Sequence, residues 1–466
     1  MPLETSHPNF AVGYEESPDN YLAHLEEILD SADISVEQAE LLSALLAEVK
    51  ITDVIRLVER SNATRAALIL RLLSRKRAIF VFDALDAGHQ ADLIDALGAQ
   101  DVHDYFASLD PDDRVALLDE VPAEIAELLL KNLAGSERDV TGVILGYPKR
   151  SIGRRMSPKV PHLFGTMTVD SALRSLREIA TEVETIYMLP IITIDRVVIG
   201  VTSLRDLFVA AGDELVENIM SKPITAKASA DAEETARWFL ALDLIAMPVV
   251  DESGRLVGIL TVDDAHDIVE SADSEDSARQ GASEPLQQPY LSTPLLKVVR
   301  SRVVWLLVLA LSALLTVTVL DSFEATIASA VVLSLFIPLL TGTGGNTGNQ
   351  AATTVTRSLA LGDLRVRDAA RVAWREMRVG FILGLTLGTI GFFLAWAVYS
   401  LELGIVIATT LVLVCTISAT VGGVMPIIAK KIGADPAVFS NPFISTFCDA
   451  TGLIIYFLIA KEVLGL

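Results

Sequence analysis

The sequence predicts a multidomain protein with an all-α superhelical N-terminal domain, an α/β middle region and an α-helical membrane domain with five transmembrane helices. The uneven distribution of charge is the first reason. Residues 1–293 of the 466-residue chain carry a net charge of −26, whereas residues 294–466 carry +3 and contain long apolar segments. An internal repeat lies between the helical beginning and the first apolar segment. An apolar content of 51% excludes a disordered chain, and the net charge of −23 argues against a nucleic-acid-binding surface.

Residues 1–150 predict the acidic helical domain. Apolar residues recur every three or four positions, as in the segments 41–49 and 117–121, which is typical of amphipathic helices. Pro111 and Pro122 punctuate short helices, and short stacked helices form superhelical domains. The first ten residues lack the pattern of a signal peptide, so we expect this half to stay in the cytosol.

Residues 151–270 contain two copies of one pattern, at about 156–212 and 217–270. Leu189-Pro-Ile-Ile is echoed 58 positions later by Met247-Pro-Val-Val, and the segment 200–206 is echoed by 258–264. Each copy predicts a helix, an apolar strand, a turn, a second strand and a second helix. The doubled pattern resembles a tandem pair of CBS domains, which is an α/β module.

In CBS domains a Ser or Thr and an Asp three residues later can hold a nucleotide ribose. Ser203 and Asp206 match this spacing in the first copy, and Thr261 and Asp264 match it in the second. The alternative is that the hydroxyl caps the helix that follows, and the two roles are compatible.

Residues 271–295 are predicted to connect the repeat to a membrane domain at 296–466. Apolar segments of about 20 residues can cross a bilayer, and basic residues mark its cytosolic side. Basic residues before the first span, in an expected loop with six arginines (357–378) and at 430–431 fall on one side, which places the C-terminus outside the cytosol. The five predicted spans are 303–320, 323–340, 379–401, 403–429 and 438–460.

Two features do not fit a plain membrane helix. The segment 338–350, with four glycines and three amide side chains, predicts either a loop that leaves the membrane or irregular backbone that lines an aqueous pore. Asp449 lies halfway along the fifth span, where a carboxylate is costly and indicates a function. The alternative for Asp449 is a hydrogen bond between packed helices. No Lys, Arg or His lies in any predicted span, so a cation or a proton has to compensate its charge.

The available ligand atoms favour a hard cation. Ser445 and Thr446 offer hydroxyls close to Asp449, and all six histidines precede the membrane domain. The only cysteines, Cys415 and Cys448, both lie in apolar stretches, which excludes a disulfide framework. One carboxylate with hydroxyls and carbonyls suits Mg²⁺ that keeps much of its water.

The segments 338–350 and 435–449 resemble the signature segments of the MgtE family of Mg²⁺ channels. The order of regions is also similar, from about residue 20 to residue 466. The resemblance implies a homodimeric Mg²⁺-selective channel, not an enzyme, in the bacterial plasma membrane, with cytosolic N-terminal domains. It implies that intracellular Mg²⁺ binds between acidic domains and closes the gate, and that ATP is a further ligand that biases gating.

The resemblance also assigns residues. Asp449 matches the pore aspartate, and the residues around it that we expect to contribute are Ser445, Thr446, Asn346, Gly345 and Asn349. Expected ATP contacts are Tyr187, Arg205, Asp206 and Ser203. The expected Mg²⁺-sensing acids are Asp435 at the cytosolic mouth, Asp231, Glu233, Asp243, Asp264, Asp267, Glu275 and Asp276, with Asp112 in the helical domain. Leu240, Leu244 and Ala272 stand where the family has further acids, which predicts weaker gating by Mg²⁺.

Three other functions fit the sequence less well. A lone buried Asp and glycine-broken helices also suit an ion-coupled secondary transporter of divalent cations. An intramembrane metalloprotease is disfavoured because the chain has no HExxH motif and no histidine after His266. A receptor or scaffold without transport would leave both Asp449 and the glycine-rich segment unexplained.

Overall fold

The computed structural model describes residues 25, 29, 36–286, 290, 293, 295–434 and 441–466. It divides into two compact units, which are described separately. The first comprises Met1–Ala230, Ala246–Leu260 and Gln287–Thr293, and the second comprises Asp231–Ile245, Thr261–Leu286 and Pro294–Leu466.

The N-terminal part of the first unit is helical, as the sequence predicts. Its core is a continuous cluster of buried apolar side chains from successive short helices, including Leu42, Phe82 and Phe106. Pro111 is the first residue of one helix, and Pro122 caps the next, so both prolines begin helices, where no backbone N–H is needed. The helices are α1 (Val36–Glu48), α2 (Ile51–Glu59), α3 (Ala63–Leu72), α4 (Arg75–Asp83), α5 (Ala87–Ala96), α6 (Ala99–Ser108), α7 (Pro111–Glu120), α8 (Ala123–Asn132) and α9 (Gly135–Leu145).

The predicted α/β repeat is confirmed. In both copies the strand order follows the sequence, and a two-residue strand that the sequence pattern does not reveal pairs in parallel with the middle strand. In the first copy the middle strand pairs antiparallel with the third, with Leu189 opposite Thr202. The elements of the first copy are β1 (Leu163–Phe164), α10 (Val169–Ile179), β2 (Met188–Ile192), β3 (Val198–Ser203), α11 (Leu204–Val209) and α12 (Val216–Ile219). Those of the second are β4 (Ala226–Lys227), α13 (Ala232–Leu240), β5 (Ala246–Val250), β6 (Leu256–Thr261) and α14 (Val262–Gln280).

The second unit contains α13, α14 and the membrane helices. Helix α14 continues past residue 270, where the sequence suggests a boundary, and ends at Gln280. The following helices are α15 (Leu295–Ser322), α16 (Glu324–Ser329), α17 (Ile337–Ala360), α18 (Ala369–Val398), α19 (Leu401–Lys431) and α20 (Asn441–Leu464). Short 3₁₀ turns, Val331–Phe336 and Val366–Asp368, precede α17 and α18.

Four helices within the described residues are long and apolar enough to cross a membrane: Leu295–Ser322, Val366–Val398, Leu401–Lys431 and Phe443–Leu464. Helix α17 has 24 residues, which is also long enough, but its composition is more polar. The count of five transmembrane helices therefore stays a prediction, with α17 as the fifth candidate.

Three details of the sequence-based description are wrong. The second predicted span, 323–340, is not one helix, because α16 ends at Ser329 and α17 begins at Ile337. The segment 338–350 is neither a loop nor irregular backbone, because it is the first half of α17. Much of the basic stretch 357–378 is helical too, since it includes the end of α17 and the beginning of α18.

The glycines of α17 serve close helix packing rather than a turn. A Cβ atom on Gly422 of α19 would overlap the backbone carbonyl of Gly348, so the two helices touch backbone to backbone. Small residues permit this approach in membrane helices, and the resulting contacts offset the low helix propensity of glycine. Pro338 lies in the first turn, where proline is tolerated.

The helical domain contains a pH-dependent contact at the start of α5. His89 Nδ1 lies 2.6 Å from Asp86 Oδ2, and this hydrogen bond raises the pKa of His89 above its usual 6.5, against the opposing effect of burial. A raised pKa in the folded state means that the stabilisation is complete below about pH 6.5 and is lost as the pH rises through the folded pKa.

We therefore expect amide hydrogen exchange in α5, corrected for intrinsic rates, to accelerate as the pH rises above about 6.5. His89→Gln should flatten this dependence, whereas His103→Gln, in the neighbouring helix, should leave it intact. Equal pH dependence in the wild type and His89→Gln would contradict the assignment.

Candidate ion-binding site

Asp449 lies in α20 between two buried residues, Cys448 and Ala450, and is itself half-buried. Among the described residues it forms no ion pair, and the basic residue of its helix, Lys461, lies three turns further along. The described part of the chain also holds no group of three or more His, Cys, Asp or Glu side chains that could bind a metal. A cation at Asp449 would therefore rely on one carboxylate and on neutral oxygen atoms or water.

Helix α17 passes Asp449 at Gly345. A Cβ atom at Gly345 would lie 3.6 Å from both Asp449 Oδ1 and Ser445 Oγ, which is an ordinary contact distance. The absence of a side chain therefore leaves space in front of the carboxylate. The structure thus places three of the predicted pore residues, Gly345, Ser445 and Asp449, next to one another.

Asn349, one turn further along α17, bridges to α20. Its Nδ2 donates a hydrogen bond to Ser445 Oγ over 2.9 Å. Its Oδ1 is buried and accepts no hydrogen bond from any residue in the described ranges. An unsatisfied buried carbonyl oxygen is costly, so Asn349 Oδ1 is suited to a water molecule or a hydrated cation.

One face of α17 is polar and exposed in the single chain. The exposed residues are four apart from 342 to 350, and the pair 353–354 lies three or four residues from both 350 and 357, which places all of them in one row along the helix. Asn346, a predicted pore residue, belongs to this row rather than to the contact with α20. Thr446 of α20 is half-buried. The row, which we call the polar face of α17, consists of Gly342, Asn346, Gln350, Thr353, Thr354 and Arg357.

The candidate Mg²⁺-sensing acids lie mainly on α13 and α14, and several already have partners. Asp231 caps α13 by accepting a hydrogen bond from the backbone N–H of Glu234 over 3.0 Å. Asp264 accepts a hydrogen bond from Thr261 Oγ1 over 2.6 Å. Glu275 forms an ion pair with Arg279. Asp267 is exposed on α14, and Asp276 is half-buried on the same helix.

Four predicted acids remain. Glu233 forms an ion pair with Arg237 on α13, and the other three differ in setting. Asp243 is exposed and follows α13 in the left-handed conformation, with φ of 52°. Asp112 is only 8% exposed in the first turn of α7, where a helix N-terminus favours a carboxylate. Asp435 lies outside the described residues.

The candidate nucleotide residues meet at the start of α11. The N–H of Asp206 donates to Ser203 Oγ over 3.0 Å and the N–H of Ser203 donates to Asp206 Oδ2 over 3.2 Å, which forms a capping box. Ser203 Oγ also donates to Asp206 Oδ2 over 2.7 Å. The capping role proposed for Ser203 is therefore confirmed. Tyr187 and Arg205 are both exposed. Tyr187 lies next to the start of α11, because its carbonyl accepts a hydrogen bond from the N–H of Leu204.

The sequence did not reveal a chain of ion pairs through Asp273 of α14. Arg237 of α13 and Arg357 of α17 both contact Asp273 Oδ1, at 2.6 Å and 3.2 Å. Partial burial tends to raise the pKa of Asp273, but the hydrogen bond and charge of Arg237, with the charge of Arg357, hold it below its usual value. The spacing of Glu233 and Arg237, four residues apart on one helix, was the one local signal of this chain.

Comparison with known families agrees with these regions. Residues 337–459 match the MgtE family, described as divalent cation transporter, and residues 49–150 match the MgtE intracellular N domain. Residues 216–270 match the CBS domain. The chain is 35% identical over 448 residues to the magnesium transporter MgtE of Thermus thermophilus, covering 94% of this chain and 98% of that protein. The chain belongs to the MgtE family.

A second relative, the magnesium transporter MgtE of Bacillus subtilis, is 31% identical over 408 residues, which covers 82% of this chain and 90% of that protein. Among solved structures, the cytosolic domain of the Mg²⁺ channel MgtE in complex with ATP is 31% identical, with a TM-score of 0.48. It covers 53% of this chain, and this chain covers 99% of it. The family matches and the two relatives confirm the resemblance inferred from the signature segments, and magnesium transport by a membrane protein is the function of the family.

The two glycines of α17 next to α20 provide a matched test of the site in this MgtE-family chain. Gly345→Ala should fit without strain, yet its methyl group would occupy the space beside Asp449, so we expect Mg²⁺ flux to fall severalfold while thermal stability is retained. Gly348→Ala would place a Cβ atom 2.7 Å from Ile444 Cγ2, so we expect lower thermal stability. Flux in proteoliposomes and the unfolding midpoint in detergent measure both effects, and undiminished flux in Gly345→Ala would contradict the site.

Proposed function

We propose that the chain is a Mg²⁺-selective channel that mediates Mg²⁺ uptake and that Asp449 binds the permeating ion. The observation that carries this proposal is the uncompensated carboxylate of Asp449 beside the bare backbone of Gly345 and the unsatisfied Asn349 Oδ1. A membrane carboxylate without a basic partner has to be neutralised by a proton or a cation. The family of the chain favours a cation.

The donor atoms favour Mg²⁺ over softer ions. The site offers a carboxylate, a hydroxyl and an amide, which are hard oxygen ligands. Mg²⁺ gives up its water reluctantly, so a site with one carboxylate and room for water suits it better than a closed cage of protein ligands would.

We propose that the pore forms between two copies of the chain. The polar face of α17 is exposed in one chain, and a row of amides and hydroxyls is unfavourable against lipid. A second copy related by two-fold symmetry would place the two polar faces around a shared aqueous path. This arrangement makes α17 the fifth transmembrane helix.

The same arrangement favours an orientation in the plasma membrane. Arg357 ends α17, Arg371 lies in the first turn of α18, and Lys430 and Lys431 end α19, so these basic residues share one side if the helices alternate. Basic residues favour the cytosolic side. The N-terminal domains are then cytosolic, and the C-terminus lies outside.

We further propose that intracellular Mg²⁺ closes the channel by binding acids of α13, α14 and the helical domain. Carboxylates on separate elements repel one another, and a divalent cation between them stabilises the compact arrangement. Because the cation binds this arrangement more tightly than the separated one, it shifts the gating equilibrium towards it. ATP bound at Tyr187, Ser203, Arg205 and Asp206 would bias the same equilibrium.

Asp449→Asn tests the proposal, since the substitution keeps the shape of the side chain and removes its charge. In proteoliposomes with a Mg²⁺ gradient we expect at least about a tenfold loss of flux, the size of effect that removal of about 1.4 kcal/mol of ion stabilisation would produce. Glu402→Gln removes an exposed carboxylate from the beginning of α19 and should retain wild-type flux. Wild-type flux should also fall as Mg²⁺ on the cytosolic face increases.

Undiminished flux in Asp449→Asn would remove Asp449 from the permeation path. Flux that stops when the proton and sodium gradients are collapsed would instead indicate an ion-coupled secondary transporter. Flux that is unaffected by cytosolic Mg²⁺ would contradict gating while leaving permeation intact.

For ATP, Tyr187→Ala is the informative change, because Tyr187 is 63% exposed and its side chain takes no part in the capping box. We expect weaker ATP binding by the full chain in calorimetry, with an unchanged unfolding midpoint. Wild-type affinity in this variant would contradict the assignment of Tyr187.

A further inference from the structure

Four charged side chains of alternating sign connect three helices of the second unit. Glu233 Oε1 lies 2.9 Å from Arg237 Nε, Arg237 Nη2 lies 2.6 Å from Asp273 Oδ1, and Arg357 Nη1 lies 3.2 Å from the same oxygen. Glu233 and Arg237 belong to α13, Asp273 to α14 and Arg357 to the cytosolic end of α17. We call these four residues the charge chain.

Arg237 is the most enclosed member of the charge chain. Its side chain is 14% exposed, whereas those of Glu233 and Asp273 are 40% and 43% exposed. Its guanidinium therefore neutralises carboxylates on two different helices from a fixed position between them. This is the task that the gating proposal gives to a divalent cation.

We infer that Arg237 is a built-in counter-ion that occupies the place of a divalent cation between α13 and α14. Through Asp273 and Arg357, the same charge chain ties α14 to the pore-lining helix α17. The inference deepens the proposed function and rests on it, because α17 lines the pore only under that proposal.

The charge of Arg237 opposes Mg²⁺ binding at Glu233. The guanidinium already holds Glu233 and Asp273, so Mg²⁺ has to compete with it for both carboxylates. Repulsion from a guanidinium about 6 Å away lowers the affinity for a divalent ion about tenfold at a water-like dielectric. Screening by salt weakens this repulsion, so the expected loss of affinity is about three- to tenfold. Arg237 thus weakens Mg²⁺ binding and makes the contact between α13 and α14 partly independent of the metal.

The contact with α17 is the weaker part of the charge chain. Arg357 and Asp273 are 56% and 43% exposed, and exposed ion pairs contribute little. Such a pair can change the ratio of closed to open channels by about two- to fivefold. This scale suits a bias on gating rather than a switch.

Mn²⁺ binding to the full chain in detergent, followed by electron paramagnetic resonance, tests the role of Arg237 without any flux measurement. We expect Arg237→Gln to bind Mn²⁺ about three- to tenfold more tightly than the wild type, because Glu233 and Asp273 lose their counter-ion. Arg237→Lys, which keeps the charge, should resemble the wild type. Arg371→Gln is the matched control, since it removes an arginine that pairs with Asp368 and lies outside the charge chain.

The double variant Arg237→Gln with Asp273→Asn should lose the gain in Mn²⁺ affinity that Arg237→Gln alone produces. Equal Mn²⁺ binding in Arg237→Gln and Arg371→Gln would overturn the inference, as would a gain that survives Asp273→Asn. Because these measurements need no transport, their failure is distinct from a failure of Asp449→Asn to reduce flux.

The contact between Asp273 and Arg357 of α17 can be tested separately. In proteoliposomes, Arg357→Gln and Asp273→Asn should each change flux at intermediate cytosolic Mg²⁺ by about two- to fivefold. The double variant should change flux by less than the product of the two single changes, because both substitutions remove the same contact. Fully multiplicative effects would show that the two residues do not act through one contact and would overturn this part of the inference.

Discussion

The carboxylate of Asp449, which lies in an apolar helix and has no basic partner among the described residues, is the constraint on which the membrane domain depends. It can persist there only if water, a proton or a cation reaches it. The neighbouring structure is consistent with such access: α17 presents backbone rather than a side chain at Gly345, and Asn349 leaves Oδ1 unpaired among the described residues. The close approach of α17 in turn requires small residues where it meets α19, which Gly348 and Gly422 supply.

Electrostatics act differently in the soluble and membrane parts of the second unit. In the membrane, one uncompensated charge is enough to favour a cation because the surroundings are apolar. On α13 and α14 many acids face water, where each is worth little alone, so their effect depends on how many are left without a counter-ion. Arg237 changes that number, since it neutralises Glu233 and Asp273. Leu240, Leu244 and Ala272 stand where the family resemblance led us to expect acids, and under the gating proposal their lack of charge would act in the same direction.

The sequence was sufficient for the regions, the repeat and the position of Asp449, because charge balance, apolar length and the spacing of echoed segments are local signals. It failed for residues 338–350, where four glycines suggest broken backbone. Each glycine costs up to about 1 kcal/mol in an isolated helix, and packing against α19 and α20, invisible in the sequence, offsets that cost. The contacts of Asp273 could not be predicted either, because its partners are 36 and 84 residues away. Polar pairing over such separations is set by tertiary structure.

The low hydropathy of α17 can be explained by what its two faces contact. Helix α15 is mostly exposed in the single chain, with 6% of its most apolar stretch buried, and residues 303–320 carry no charge, as expected of a helix against lipid. Helix α17 is instead divided: one face of glycines packs on α19 and α20, and the other carries amides and hydroxyls. Under the proposed function α17 contacts protein on one side and water on the other, so it need not be as apolar as a helix that contacts lipid. The feature that separates α17 from the four apolar candidates is therefore the one expected of a helix lining an aqueous path.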